Sequence, residues 1–109
     1  MTKQRERIRL LNRELLKNFS KGRVVITRGI DELGKEAVMG IAKAIASYED
    51  FSENSDPYGE NDFGSIEFEG HRVFFKIDYL DLALSMHSPD PSDPNVTERV
   101  LTVMLAEEY

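Results

Sequence analysis

Ile66-Glu67-Phe68-Glu69-Gly70-His71-Arg72-Val73-Phe74-Phe75-Lys76-Ile77-Asp78-Tyr79 is the stretch that decides the fold class. Ile66 and Phe68 alternate with Glu67 and Glu69, the period of a strand with one wet face. Glu69-Gly70 then offers a two-residue turn into a second, longer strand. So short a turn fixes the register. Glu67 falls opposite Arg72 as a cross-strand ion pair, Ile66 opposite Val73 on the other face, Ser65 opposite Phe74, and Phe68 opposite His71.

Upstream of this hairpin, residues 49–62 lack periodicity and are crowded with turn formers and carboxylates, so they read as a long loop. Before the loop, Leu33, Ala37, Val38, Ile41, Ala44, Ile45 and Tyr48 form a wide apolar stripe at helical spacing, with Asp31 placed to cap it. Arg23-Val24-Val25-Ile26-Thr27 is β-branched without alternation, which suits a strand covered on both faces. Residues 2–18 place Ile8, Leu11, Leu15 and Phe19 on one helical stripe, with Arg5, Arg9, Arg13 and Lys17 in an i, i+4 row on the opposite side. Downstream, Leu82 to Met86 reads as a short strand, and His87 to Pro94, with three prolines, as a second loop. Asp93 as N-cap and Pro94 at the first helical position suggest a final helix with Val96, Val100, Val103 and Met104 on its apolar face. The expectation is one α+β domain over residues 1–109: a small, mainly antiparallel sheet with a central β-hairpin and three packed helices.

Composition narrows the function classes. The chain has 109 residues, 40% hydrophobic and 31% charged, enough for a core and too few for two domains. The absence of cysteine removes disulfides, thiolate zinc, iron–sulfur ligation and cysteine nucleophiles, and fits a reducing compartment. The first residues are basic but lack the apolar stretch of a signal peptide, and no run approaches a membrane span, so a cytoplasmic location with no membrane partner is expected. Net charge is −6, divided unevenly: residues 1–28 carry nine Lys or Arg against two acids, and residues 29–109 carry five against eighteen. The simplest account is a basic first helix lying on its own acidic domain; the alternative is a second molecule held by one pole.

Asp56-Pro57-Tyr58-Gly59-Glu60-Asn61-Asp62-Phe63-Gly64, Phe75-Lys76-Ile77-Asp78-Tyr79, Ser88-Pro89-Asp90-Pro91 and Leu101-Thr102-Val103-Met104-Leu105-Ala106-Glu107-Glu108-Tyr109 resemble a family of small bacterial proteins catalogued as a domain of unknown function. The similarity also takes in Arg7-Ile8-Arg9-Leu10-Leu11-Asn12 and Gly22-Arg23-Val24-Val25. The resemblance implies a self-contained small cytoplasmic domain and brings no catalytic or cofactor residue with it.

Motif by motif, the chemistry stays open. Asp56, Glu60 and Asp62 near Tyr58 invite a calcium or magnesium reading, yet an EF-hand begun at Asp56 puts Tyr58 at position three and Asn61 where glycine is required. Lys76 and Asp78 share a strand face as i and i+2, a pair suited to acid–base work or to a plain ion pair. His71 and His87 are isolated, and neither a nucleophile elbow nor a phosphate-binding glycine loop occurs. The row Arg5, Arg9, Arg13 and Lys17 could track phosphates, but eighteen acids elsewhere oppose nucleic acid.

The sequence therefore favours a non-catalytic domain that binds a protein partner through the acidic surface of its two long loops, with Asp56, Tyr58, Glu60, Asp62, Lys76, Asp78 and Asp90 as the contact residues and no cofactor or metal. An acidic surface can offer carboxylates where phosphates would dock, so a nucleic-acid-binding machine is one example of a partner to be inhibited. The competing readings are a small acid–base or metal-dependent enzyme centred on residues 56–62 with Lys76 and Asp78, and a nucleic-acid binder using the first helix. Convergence of the acidic groups in one pocket would favour the enzyme; dispersal along a rim would favour the binder.

Overall fold

The hairpin forms in the expected register. In the computed structural model, which describes residues 2–51 and 56–109, β2 (Phe63–Phe68) pairs antiparallel with β3 (His71–Leu80), and Glu67, Ile66, Ser65 and Phe68 face Arg72, Val73, Phe74 and His71. Glu69 and Gly70 take φ of 47° and 86°, the left-handed pair that matches the twist of the flanking strands. The Glu67–Arg72 ion pair closes at 2.8 Å.

The segment after Pro94 corrects the sequence reading. It is a strand, β4 (Glu98–Leu105), and not a helix. Val96, Val100, Val103 and Met104 fit helical spacing, but Arg99, Leu101 and Val103 alternate inward just as well, and the β-branched residues favour the pleated solution. β4 pairs antiparallel with β3 along Val73–Leu80 and parallel with β1 (Arg23–Ile26), giving the order β1-β4-β3-β2. The sheet is therefore mixed instead of mainly antiparallel. β1 is an edge strand rather than one covered on both faces, and Val25 is 48% exposed.

Three helices occur among the described residues: α1 (Lys3–Lys17), the short α2 (Arg28–Asp31) and α3 (Lys35–Ala46). Thr2 caps α1, its hydroxyl accepting from the Arg5 N–H at 3.1 Å. Asp31 does not cap α3; it ends α2, and the chain turns through Gly34 at φ 103° before α3 begins. Leu82–Met86 forms no strand. Asp81 folds it into a turn by accepting from the Ser85 N–H at 3.0 Å, and one isolated bridge joins Leu80 to His87. Residues 52–55 of the loop expected over 49–62 lie outside the described residues.

Burial alternates along β3. Val73, Phe75, Ile77 and Tyr79 face the helices and join Ile8, Leu15, Leu16, Ile30, Ile41, Ile45, Leu101 and Val103 in the core. Gly64 admits the Phe75 and Tyr48 rings, since a Cβ there would lie 2.2 Å from Phe75. The other face carries Phe74, Lys76, Asp78 and Leu80, and the C-terminal Tyr109 ring packs on it against Phe63 and Phe74. Among the described residues no helix is long and apolar enough to cross a membrane.

Candidate functional site

β3 is longer than β2. Phe63, the first residue of β2, pairs with Lys76, so Ile77 to Leu80 run on without a β2 partner. The loop before β2 fills that gap, and the Ile77 N–H donates to the Asp62 carbonyl at 2.8 Å. This contact brings the loop carboxylates to the end of β3.

Asp56 organises the loop from inside. It is buried, and its carboxylate accepts from the backbone N–H groups of Glu60 and Asn61 and from the Asn61 Nδ2 at 2.6 Å. Glu60 follows with Oε1 accepting from the Tyr79 hydroxyl at 2.8 Å and its carbonyl accepting from Asn12 Nδ2 at 3.0 Å. Asp62 is pushed up to about 6 by burial, then by the neighbouring carboxylates of Glu60, Asp56 and Asp78. On the open face of β3, Lys76 Nζ meets Asp78 Oδ2 at 2.8 Å, both side chains partly exposed.

Asp56, Glu60, Asp62, Lys76 and Asp78 are thus brought into one neighbourhood at the sheet edge. Tyr58 and Asp90 are tied instead to the first turns of α1. The Tyr58 ring is 61% exposed and lies 4.9 Å beneath the Arg5 guanidinium. Asp90 Oδ1 accepts from Gln4 Nε2 at 3.0 Å and from the Ser92 hydroxyl and N–H, and these bonds hold its carboxyl below the usual range. Of the basic row of α1, Arg9 approaches Glu6 of the same helix, and Arg13 lies 3.9 Å from Glu49 and donates to Asn61 Oδ1 at 3.2 Å.

The family model described as "Protein of unknown function (DUF3768)" matches residues 26–108. The chain belongs to the DUF3768 family. Within the span matched by DUF3768 lie the hairpin, β4 and the acidic loop, whereas the similarities at residues 7–12 and 22–25 fall outside it. No curated protein and no solved structure matches the chain.

Sequence reasoning missed the polar residues beneath the acidic loop. Asn12 is fully buried, donating to the Tyr79 hydroxyl at 2.8 Å as well as to Glu60. Arg99, 5% exposed, donates from Nε to Asn12 Oδ1 at 2.9 Å and from Nη2 to the Pro91 carbonyl. Its guanidinium carbon stands 5.3 Å from the Tyr79 ring centroid. Burial lowers the Arg99 pKa and raises that of Tyr79. The signal for Asn12 was its position between Ile8 and Leu15 on the buried side of α1; for Arg99 it was the alternation with Leu101 and Val103. Among the described residues, no group of three or more His, Cys, Asp or Glu side chains is arranged to hold a metal ion.

Proposed function

We propose that the domain is a non-catalytic protein-binding module whose contact surface is the acidic edge of Glu60, Asp62 and Asp78, with Tyr58 exposed on the same loop. The observation that carries this reading is that these carboxylates lie along the end of β3 without lining one pocket: the groove there is lined by Asp78 but by neither Glu60 nor Asp62. Lys76 pairs with Asp78, while among the described residues neither Glu60 nor Asp62 has an ion pair. Burial first, and then the neighbouring carboxylates, make the ionised form of Asp62 costly, as its raised pKa records. A basic protein surface would relieve the repulsion, with charge steering the approach and an exposed tyrosine supplying apolar contact. A protein that otherwise docks on phosphates has the complementary charge. Asp56 and Asp90 enter this reading as the groups that shape the two loops, because their oxygens are taken by internal hydrogen bonds.

A photocrosslinking residue in place of Tyr58, compared with one at Glu69 on the hairpin turn, tests the surface. The reading expects a partner captured at position 58 and absent at 69. Equal capture at both positions, or capture at 69 alone, contradicts it.

A small acid–base enzyme is the second reading, favoured by Asp62 near 6 and by a groove of about 380 Å³ lined by Asp78, Tyr79 and His87. That reading requires a turnover whose pH profile breaks near 6 and loses the break in Asp62→Asn.

A further inference from the structure

A groove distinct from the one beside Asp78 is lined by none of Glu60, Asp62 and Asp78. It runs between the second half of α1, the 3-10 turn Phe19–Lys21, the start of β1 and the segment Pro94–Arg99, and encloses about 550 Å³. That volume suits a small metabolite. Its walls hold three cations, Lys21, Arg23 and Arg99, against two carboxylates, Glu14 and Glu98.

The cations differ in how they are matched. Lys21 reaches Glu14 at 3.6 Å and Arg23 reaches Glu98 at 3.3 Å, in exposed pairs that exchange partners at little cost. Arg99 is different. It is 5% exposed, and the acceptors it reaches are neutral: the Asn12 amide, the Pro91 carbonyl and the face of Tyr79. Among the described residues no carboxylate lies within 4.0 Å of it, and its Nη1 has no hydrogen-bond partner. The Glu60 carboxylate acts on this guanidinium only from beyond 4.0 Å, and the groove lining itself holds one more cation than carboxylates.

The backbone brings the remaining donors close. A Cβ on Gly22 would stand 2.9 Å from the Arg99 carbonyl oxygen and 3.0 Å from Leu15. The glycine therefore lets the turn lie directly on β4, with Lys21 and Arg23 following it on either side. A planar guanidinium with free N–H donors, flanked by two exchangeable cations, matches an oxyanion in geometry and charge.

We propose that this groove binds a small molecule through an oxyanion, phosphate or carboxylate, seated on the Arg99 guanidinium and flanked by Lys21 and Arg23. The site does not depend on the protein-binding reading, although Asn12, which accepts from Arg99, also donates to the Glu60 carbonyl of the acidic loop.

The test is a titration of the intact chain, followed by proton–nitrogen correlation NMR, with inorganic phosphate in one arm and acetate in the other at constant ionic strength. Saturable shifts of the Gly22 amide and the Arg99 Nε–H are expected in at least one arm, and the arm that saturates at lower concentration names the group. The double variant Lys21→Ala, Arg23→Ala changes exposed side chains and should weaken that binding about tenfold, a difference of about 1.4 kcal/mol. Arg99→Lys keeps the charge but loses the fork, and should weaken it further; if that variant does not fold, the double variant decides. Absence of saturation in both arms, or undiminished affinity in the double variant, overturns the proposal.

Discussion

Arg99 Nε donates to Asn12 Oδ1 at 2.9 Å across 87 positions of sequence, in a part of the molecule where both residues are buried. The bond joins α1 to the central strand β4. The same Asn12 amide donates to Tyr79 on β3 and to Glu60 in the acidic loop. One side chain of the first helix therefore ties together the helix, both inner strands and the loop that carries the candidate site.

Replacing Asn12 with leucine keeps the approximate shape and removes every one of these bonds. The Arg99 guanidinium is left buried with one acceptor fewer, so a loss of about 3 kcal/mol is expected in urea unfolding. A loss below about 1 kcal/mol would show that the polar cluster is not what fastens α1.

Asp62 makes a pH-dependent prediction. Its carboxyl ionises near 3.8 in the unfolded chain and near about 6 in the folded one, so between those values the folded state binds the extra proton. Its contribution to stability falls as pH rises through that window and remains unfavourable above it. Asp62→Asn should therefore stabilise the domain at neutral pH by about 1 kcal/mol, after allowance for solvent screening of a half-exposed group. The gain should vanish below pH 3.8, where the carboxyl is protonated in both states. Urea midpoints of parent and variant at the two pH values check this, and a variant destabilised at neutral pH contradicts it.

Glu108 gives the opposite sign. Its carboxylate accepts from the Thr27 hydroxyl, from the Leu105 N–H at 2.8 Å and from the Gly29 N–H at 3.0 Å, pinning the C-terminal turn to the start of α2. These bonds lower its pKa, so the stability it contributes is present above the ordinary value of 4.5 and is lost as pH falls through the depressed one. Glu108→Gln should lower the thermal midpoint at neutral pH and differ little from the parent in strong acid. Equal midpoints at neutral pH would remove this pin from the account.

The hairpin was legible in the sequence because its information is local: the Glu69-Gly70 turn fixes the register, and every facing pair follows. The stripes of α1 and α3 were legible for the same reason, since helical periodicity is written within a few turns. β4 was misread because its apolar residues satisfy both periods, and what selects the strand is a pair of distant edges, β1 and β3, that need a partner between them. Parallel pairing of β1 carries no local signature. Of the candidate site, Lys76 and Asp78 were read correctly as sharing a face, because strand alternation dictates it. The inward turn of Asp56 and the cluster of Asn12, Tyr79 and Arg99 were not legible, because a polar residue declares its burial only when its partners from other elements are in place.

The most direct measurement of the central claim is the association rate between this domain and the partner captured at position 58, for the parent and for the triple variant Glu60→Gln, Asp62→Asn, Asp78→Asn. If the acidic edge is the docking surface, the variant should associate about tenfold more slowly at low salt, with a flatter dependence on ionic strength and an unchanged fold by circular dichroism. A folded variant that associates at the parent's rate, with the parent's salt dependence, would contradict the claim.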